Sequence, residues 1–136
     1  MTTSTDTRRE LEALLKSRVP LIVIETRDEP RAVALLSSLA PTLVSNAHTP
    51  VFQWTVTEGL RRLDISLAGA QQHNAEPDMV LKAMRSTPTA GVYILLDFHP
   101  FLADPVNVRL LKDICQDYDR VARTVVLISH EIQLPR

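Results

Sequence analysis

Arg27, Asp97, His99 and His130 are the residues of this chain whose types and spacing could do chemistry together. Asp97 closes the apolar run "VYILLD" (92–97), and His99 follows two residues later. His130, with Glu131 beside it, follows "TVVLIS" (124–129), and Arg27 follows "PLIVIE" (20–25). If the three runs are neighbouring strands, all four side chains gather at one carboxyl edge. Such a cluster could serve a nucleotide- or metal-dependent enzyme. The metal signature is only D-x-H plus a distant H-E, so histidines hydrogen-bonded to strand-end loops are the competing structural reading.

An apolar strand ending in aspartate is also how the magnesium-binding strand of a P-loop NTPase ends. A working site needs more. Its first strand leads into G-x-x-x-x-G-K-S/T, where backbone N–H groups and a helix N-terminus cradle phosphate and the lysine meets the β/γ oxygens. Here the first strand leads into "ETRDEPR", which has no glycine to let the backbone wrap closely and puts Asp28 and Glu29 where the anion would sit. The lysines, Lys16, Lys82 and Lys112, do not follow glycines, and the residue after Asp97 is Phe98 rather than an acid that could activate water. The expectation is a chain that does not hydrolyse ATP, with Asp97 as the remnant of a Walker B-like strand. In the structural reading, Asp97 caps a strand end and pairs with Arg27 or a helix N-terminus.

Other candidates have simpler readings. Cys115 has no histidine three or four residues away and lies on the apolar side of its helix, so it reads as a small buried hydrophobe. Trp54 could stack on a base, but a lone tryptophan on an alternating strand is usually core. Arg61-Arg62 could meet a partner or a phosphate, although a solvated loop is the default.

The elements that must position these residues follow from periodicity. Thr7 and Glu10 form a capping box ahead of Leu11, Leu14 and Leu15 on one helical face, with residues 1–6 loose before it. Residues 20–25, 92–97 and 124–129 are continuous apolar runs and predict strands covered on both faces. Residues 51–56 ("VFQWTV") alternate and predict a half-buried edge strand. Residues 57–75 have mixed periodicity, predicting irregular chain with a short hairpin or helical turn. Helices are predicted from Pro30 to Pro41 with Val33, Leu36 and Ala40 inward, from Pro77 with Met79, Val80 and Met84 inward, and from Asp104-Pro105 with Leu111, Ile114, Cys115, Tyr118 and Val121 at helical spacing. The order is α-β-α-β-α-β-α-β: a three-layer α/β sandwich with a mostly parallel four-stranded sheet and right-handed crossovers.

Composition bounds the rest. With 136 residues the chain is expected to be one α/β domain over 1–136, large enough for a core. A net charge of −1 provides no field for nucleic acid or anionic membrane. No apolar run approaches the ~20 residues a membrane helix needs. No signal peptide is visible, and the single cysteine suits a reducing compartment, so a cytoplasmic protein is expected.

Four stretches together, "RVPLIVIETRDEPRAVALL" (18–36), "VFQWTVTEGL" (51–60), "VYILLDFHPFLADPVNVRLLKDI" (92–114) and "VVLISHEIQLP" (125–135), resemble the N-terminal region of an AAA-type ATPase family found in cyanobacteria, plastid genomes and other bacteria. "WTVTEGL" (54–60) and "LDFHPFL" (96–102) are the most specific pieces. The resemblance implies a degenerate P-loop NTPase-like domain lacking the Walker A loop, followed by a true AAA+ module that carries the ATP and magnesium sites. It implies strand order 51–56, 92–97, 124–129, 20–25, with a further strand beside 20–25 coming after Arg136. No catalytic, cofactor or metal residue carries over. The implied partners are proteins: the AAA+ module itself, and a substrate or adaptor, with a parent ring possible; a freestanding protein-interaction module on the same fold is the alternative.

Overall fold

The computed structural model describes residues 4–40, 49–63 and 75–130. Five strands form one sheet, flanked on each face by helices. In chain order the elements are α1 (Ser4–Lys16), β1 (Leu21–Glu25), α2 (Glu29–Leu39), β2 (Val51–Thr55), β3 (Gly59–Arg62), α3 (Pro77–Ser86), β4 (Gly91–Leu96), a 3-10 turn (His99–Ala103), α4 (Pro105–Gln116) and β5 (Arg123–Ser129). The sheet order is β1-β5-β4-β2-β3, parallel except for β3, which returns antiparallel along β2.

The expected order of the four parallel strands is the observed one. The sheet nevertheless has five strands rather than four, because Gly59–Arg62 folds back as a hairpin (Thr55 opposite Gly59), with Gly59 at φ 75 where glycine is at ease. That hairpin moves β2 from the expected edge into the interior, and Gln53 is accordingly buried. β1 is also corrected: it forms the opposite edge, and Val23 is 41% exposed rather than covered on both faces. Only β4 and β5 are buried along their whole length.

Residue parity sorts the sheet into two cores. Trp54, Tyr93, Leu95, Val125 and Leu127 face α3 and α4, meeting Val80, Leu81, Met84, Leu111 and Ile114. Ile22, Val51, Ile94, Val126 and Ile128 face α1 and α2, meeting Leu11, Leu15, Leu36 and Leu39. Leu81 takes the inward place expected of Met79, which is exposed. The caps are partly as read. Asp104 accepts from Val106 N–H (2.9 Å) ahead of Pro105, and Asp28 accepts from Arg31 N–H (3.3 Å) ahead of α2. Thr7 is no cap, because α1 already begins at Ser4. α4 ends at Gln116, so Tyr118 and Val121 lie beyond it. Residues 64–74 and 131–136 lie outside the described residues.

Trp54 is fully buried and its ring meets Phe98 and Phe101 edge-on, at centroid distances of 5.3 and 6.0 Å. Arg123, first residue of β5, is also fully buried. Its Nε donates to Thr87 O (3.1 Å), Nη2 donates to Thr87 O and to Arg85 O (3.3 Å), and Nη1 reaches Asp117 Oδ2 (3.4 Å). One guanidinium thereby satisfies carbonyls at the end of α3 and a carboxylate just past α4. Arg120 pairs with Asp117 from outside (2.6 Å), and its hydrogen bond is the main reason the Asp117 carboxyl sits below its ordinary range.

Trp54→Ala is expected to cost about 3–5 kcal/mol through the cavity it leaves, read by urea unfolding; a near-neutral result would contradict the burial. Arg123→Ala should cost about 3–5 kcal/mol, since it strands buried carbonyls and Asp117. Arg123→Lys should recover only part of that loss, because an ammonium cannot reach both carbonyls and the carboxylate with a fork.

Candidate functional site

The carboxyl ends of β1, β5 and β4 lie in step. Glu25 is opposite Ser129, and Leu96 is opposite Ile128. Two backbone bonds carry the sheet past the strand ends: Thr26 N–H to Ser129 O (2.8 Å) and Asp97 N–H to Ile128 O (2.9 Å). Asp97 is thereby held at the edge with φ 53, a left-handed conformation that aspartate tolerates better than most residues.

Beside it lies the turn from β1 into α2, just Thr26, Arg27 and Asp28. Thr26 Oγ1 accepts the Asp28 N–H (3.1 Å), and the Asp28 carboxylate in turn accepts the Arg31 N–H. The N-terminus of α2 is therefore already capped by a carboxylate of its own chain, with Glu29 as its first residue. Glu29 is pushed above its ordinary value of 4.5, first by partial burial and then by the negative charge of Asp97. The turn into α2 thus carries Asp28 and Glu29 where the expected chemistry would need to hold an anion.

The four candidate residues are gathered only loosely. Asp97 is exposed, and its carboxylate accepts from Ser129 Oγ (3.3 Å); the expected pairing with Arg27 is not made, and Arg27 is exposed. The chain enters the left-handed region at Asp97, then Phe98 turns inward to the aromatic core, and His99 opens the 3-10 turn. His99 is half-buried, and its Nδ1 has no hydrogen-bond partner among the described residues. His130 is exposed just past β5. Among the described residues no group of three His, Cys, Asp or Glu side chains is placed to hold a metal ion. Glu131 lies outside them.

The remaining candidates resolve into structure. Cys115 is half-buried against the α3/α4 core, and burial pushes its thiol up, away from nucleophilic thiolate. Arg61 is exposed and pairs with Glu58 (3.5 Å), while the Arg62 guanidinium lies over the Phe52 ring (5.9 Å). That the charge of Asp97 acts on Glu29 is not legible in the sequence, where the two acids are 68 residues apart. Nor does the sequence announce an open cleft of about 610 Å³ between the N-terminal ends of α3 and α4, lined by Pro77, Asp78, Lys82, Phe101, Val106 and Asn107. Asn107 donates to Phe101 O (2.9 Å), and its Oδ1 is buried without a partner among the described residues.

Asp97→Asn is expected to change stability at pH 7 by no more than about 0.5 kcal/mol, because the residue is exposed and asparagine accepts the same backbone. The pH dependence should change with it. A carboxyl raised in the folded state binds protons more readily there than in the unfolded chain, so Glu29 makes the protein gain stability as pH falls from above its folded value towards 4.5. Removing the Asp97 charge should weaken that gain, measured by urea unfolding between pH 7 and 4.5; a gain left untouched would show that the two carboxylates do not feel each other.

The family described as "SpoVK-like AAA ATPase, N-terminal domain" matches residues 7–136. Curated proteins named "Uncharacterized AAA domain-containing protein ycf46" are similar: 25% identical over 127 residues in Trieres chinensis, 27% over 129 in Pyropia yezoensis and 26% over 128 in Guillardia theta. Each alignment covers 93% of this chain, which spans about a quarter of the length of these relatives. No solved structure matches.

Proposed function

The chain belongs to the family of SpoVK-like AAA ATPase N-terminal domains, and from that premise we propose that it is a non-catalytic module of an AAA+ ATPase, serving recognition of a substrate or adaptor protein, or assembly of the parent ring. The observation that carries the non-catalytic part is the turn from β1 to α2. It is three residues long, carries no glycine, and already ends on a helix N-terminus capped by Asp28 and lined by Glu29. A triphosphate would meet two carboxylates there instead of free N–H groups and a lysine. Asp97 keeps the place of a magnesium-binding aspartate without the phosphate-binding partner that would give the ion something to bridge. The proposed partners are therefore proteins, and the proposed ATP and magnesium sites belong to the AAA+ module elsewhere in the parent protein. That parent is proposed to act in the cytoplasm.

The reading with a nucleotide- or metal-dependent site at Arg27, Asp97, His99 and His130 has weaker support. Arg27 and His130 are exposed, and Asp97 is engaged with Ser129. Titration of the 136-residue chain with ATP and magnesium, followed by calorimetry, should give no saturable binding up to millimolar nucleotide. Micromolar, magnesium-dependent affinity would sink the non-catalytic reading. In the full-length protein, Asp97→Asn should leave the ATPase rate unchanged; a large loss would show that this edge still couples to the active module.

A further inference from the structure

The start of α3 is built differently from the starts of α2 and α4. Asp28 and Asp104 close their own helices, whereas Glu76 at the N-cap of α3 makes no side-chain cap. The first N–H groups of a helix have no partner within it, so an uncapped start presents donors. Arg123, at the amino end of β5, holds the far end of α3. The start of α3 therefore lies at the carboxyl side of the sheet, beside the start of α4, where open parallel sheets bind ligands. The two helices run side by side in the same direction: Asp78 and Lys82 share the cleft with Val106 and Asn107, and further along Arg85 meets Asp113 (3.4 Å). The cleft volume of about 610 Å³ falls within the roughly 300–1,000 Å³ of small-ligand sites.

Asn107 gives the cleft its second peculiarity. The residue is only 4% exposed, and its amide nitrogen donates to Phe101 O (2.9 Å). That bond fixes which way the amide points and leaves Oδ1 a buried acceptor with no partner among the described residues. An unpaired buried acceptor is costly, so a donor arriving through the cleft is favoured. Charge does not favour an ion there. Asp78 and Asp104 stand against Lys82, and each helix start adds roughly half a positive charge, so the lining is close to neutral. Apolar surface completes it: Pro77, Phe101 and Val106 line the cleft, Val106 is 53% exposed, and Met79 at the same end of α3 is 47% exposed. Donors on one helix, a buried acceptor on the other and apolar walls between them match a peptide group with an apolar side chain.

We propose that the cleft between the starts of α3 and α4 binds an extended, uncharged segment of a partner protein. An apolar side chain of that segment lies on Phe101 between Pro77 and Val106. Its peptide N–H donates to Asn107 Oδ1, and a neighbouring C=O accepts from the uncapped start of α3. The exposed side chains at the rim give way by the rotamer changes common at interfaces. Among them, the Asp78–Lys82 pair (3.6 Å) is solvated and costs little to part. The inference rests on the proposed function and names the site and the chemistry through which the domain recognises its protein partner.

Trp54, the single tryptophan of the chain, reports on the cleft through the Phe101 ring, 6.0 Å away between centroids. The probe is N-acetyl-Ala-Leu-Ala-amide, which is neutral and has an apolar centre. Titrated into the protein, it is expected to change Trp54 fluorescence saturably in the millimolar range. The same peptide with glycine at its centre should bind about tenfold or more weakly, because it buries no side chain. A depsipeptide with an ester oxygen in place of the leucine N–H should bind about fivefold or more weakly, because it offers Asn107 no donor. Val106→Glu, at an exposed rim position, should keep the melting temperature and abolish the response. No saturation, equal binding of the three peptides, tighter binding of peptides with Lys or Glu at the centre, or a response untouched by Val106→Glu would each overturn the proposal. So would a fluorescence change that follows protein concentration without peptide, which would make the occupant a second copy. An inert cleft in a chain that binds no ATP sinks this site alone; magnesium-dependent ATP binding sinks the proposed function.

Discussion

The Arg123 guanidinium holds the α3/α4 layer against the sheet. It is completely buried at the start of an interior strand, a position a cation occupies only when it is paired and hydrogen-bonded. Its fork joins three elements that sequence keeps far apart: the last carbonyls of α3, the carboxylate just past α4, and β5 itself. Helix C-termini leave carbonyls without partners, and a cation nearby is the favourable answer to both the orphan groups and the helix dipole. With those ends pinned, Leu81, Met84, Leu111 and Ile114 are presented to Tyr93, Leu95, Val125 and Leu127. Tyr93 repeats the device on a smaller scale: its hydroxyl donates to Thr89 O (2.7 Å) in the α3–β4 connection, and burial pushes its pKa up to about 12.

The same economy shapes the carboxyl edge. Every helix N-terminus with a side-chain cap among the described residues uses an aspartate of its own loop, Asp28 for α2 and Asp104 for α4. A helix start closed by its own carboxylate has no open N–H cluster for an anion. Gly91 shows where the fold does need a glycine: a Cβ there would come within 2.6 Å of Pro50 O, so the close approach of β4 to the chain entering β2 excludes any side chain. Glycine serves packing here, while the turn at β1 that would use it for phosphate has none. At the same edge the charge of Asp97 adds to partial burial in pushing Glu29 up, and Ser129 Oγ donates to Asp97.

Much was legible in the sequence because its signals are local. The runs at 92–97 and 124–129 are unbroken, and both are strands buried on two faces. Asp104-Pro105 and Pro77 mark helix starts because a proline at the first helical positions loses no hydrogen bond. The identity of the domain was legible too, in "WTVTEGL" and "LDFHPFL", since Trp54, Phe98 and Phe101 are residues of one aromatic cluster and Gly59 sits in the turn conformation that wants glycine. Where alternation misled, the cause was a neighbour. "VFQWTV" alternates like an edge, yet β3 covers it, so Gln53 is buried.

What the sequence determined by itself is the class of the molecule and the absence of a phosphate-binding glycine motif within it, because periodicity, capping and glycine content are properties of short stretches. What only the tertiary structure decided is who meets whom. Nothing in "LIVIE" distinguishes a central strand from an edge; that depends on whether another strand lies beside it, and among the described residues β1 has one on a single side. Nothing in the neighbourhood of Arg123 announces a buried cation, since its partners at Thr87 and Arg85 are 36 and 38 residues away and bind through backbone carbonyls that every residue possesses. Arg27 and Asp97 likewise looked like a pair at one edge, but Asp97 sits in a left-handed turn and accepts from Ser129 instead. Long-range pairing is a matter of distance in the folded chain, and no local pattern encodes it.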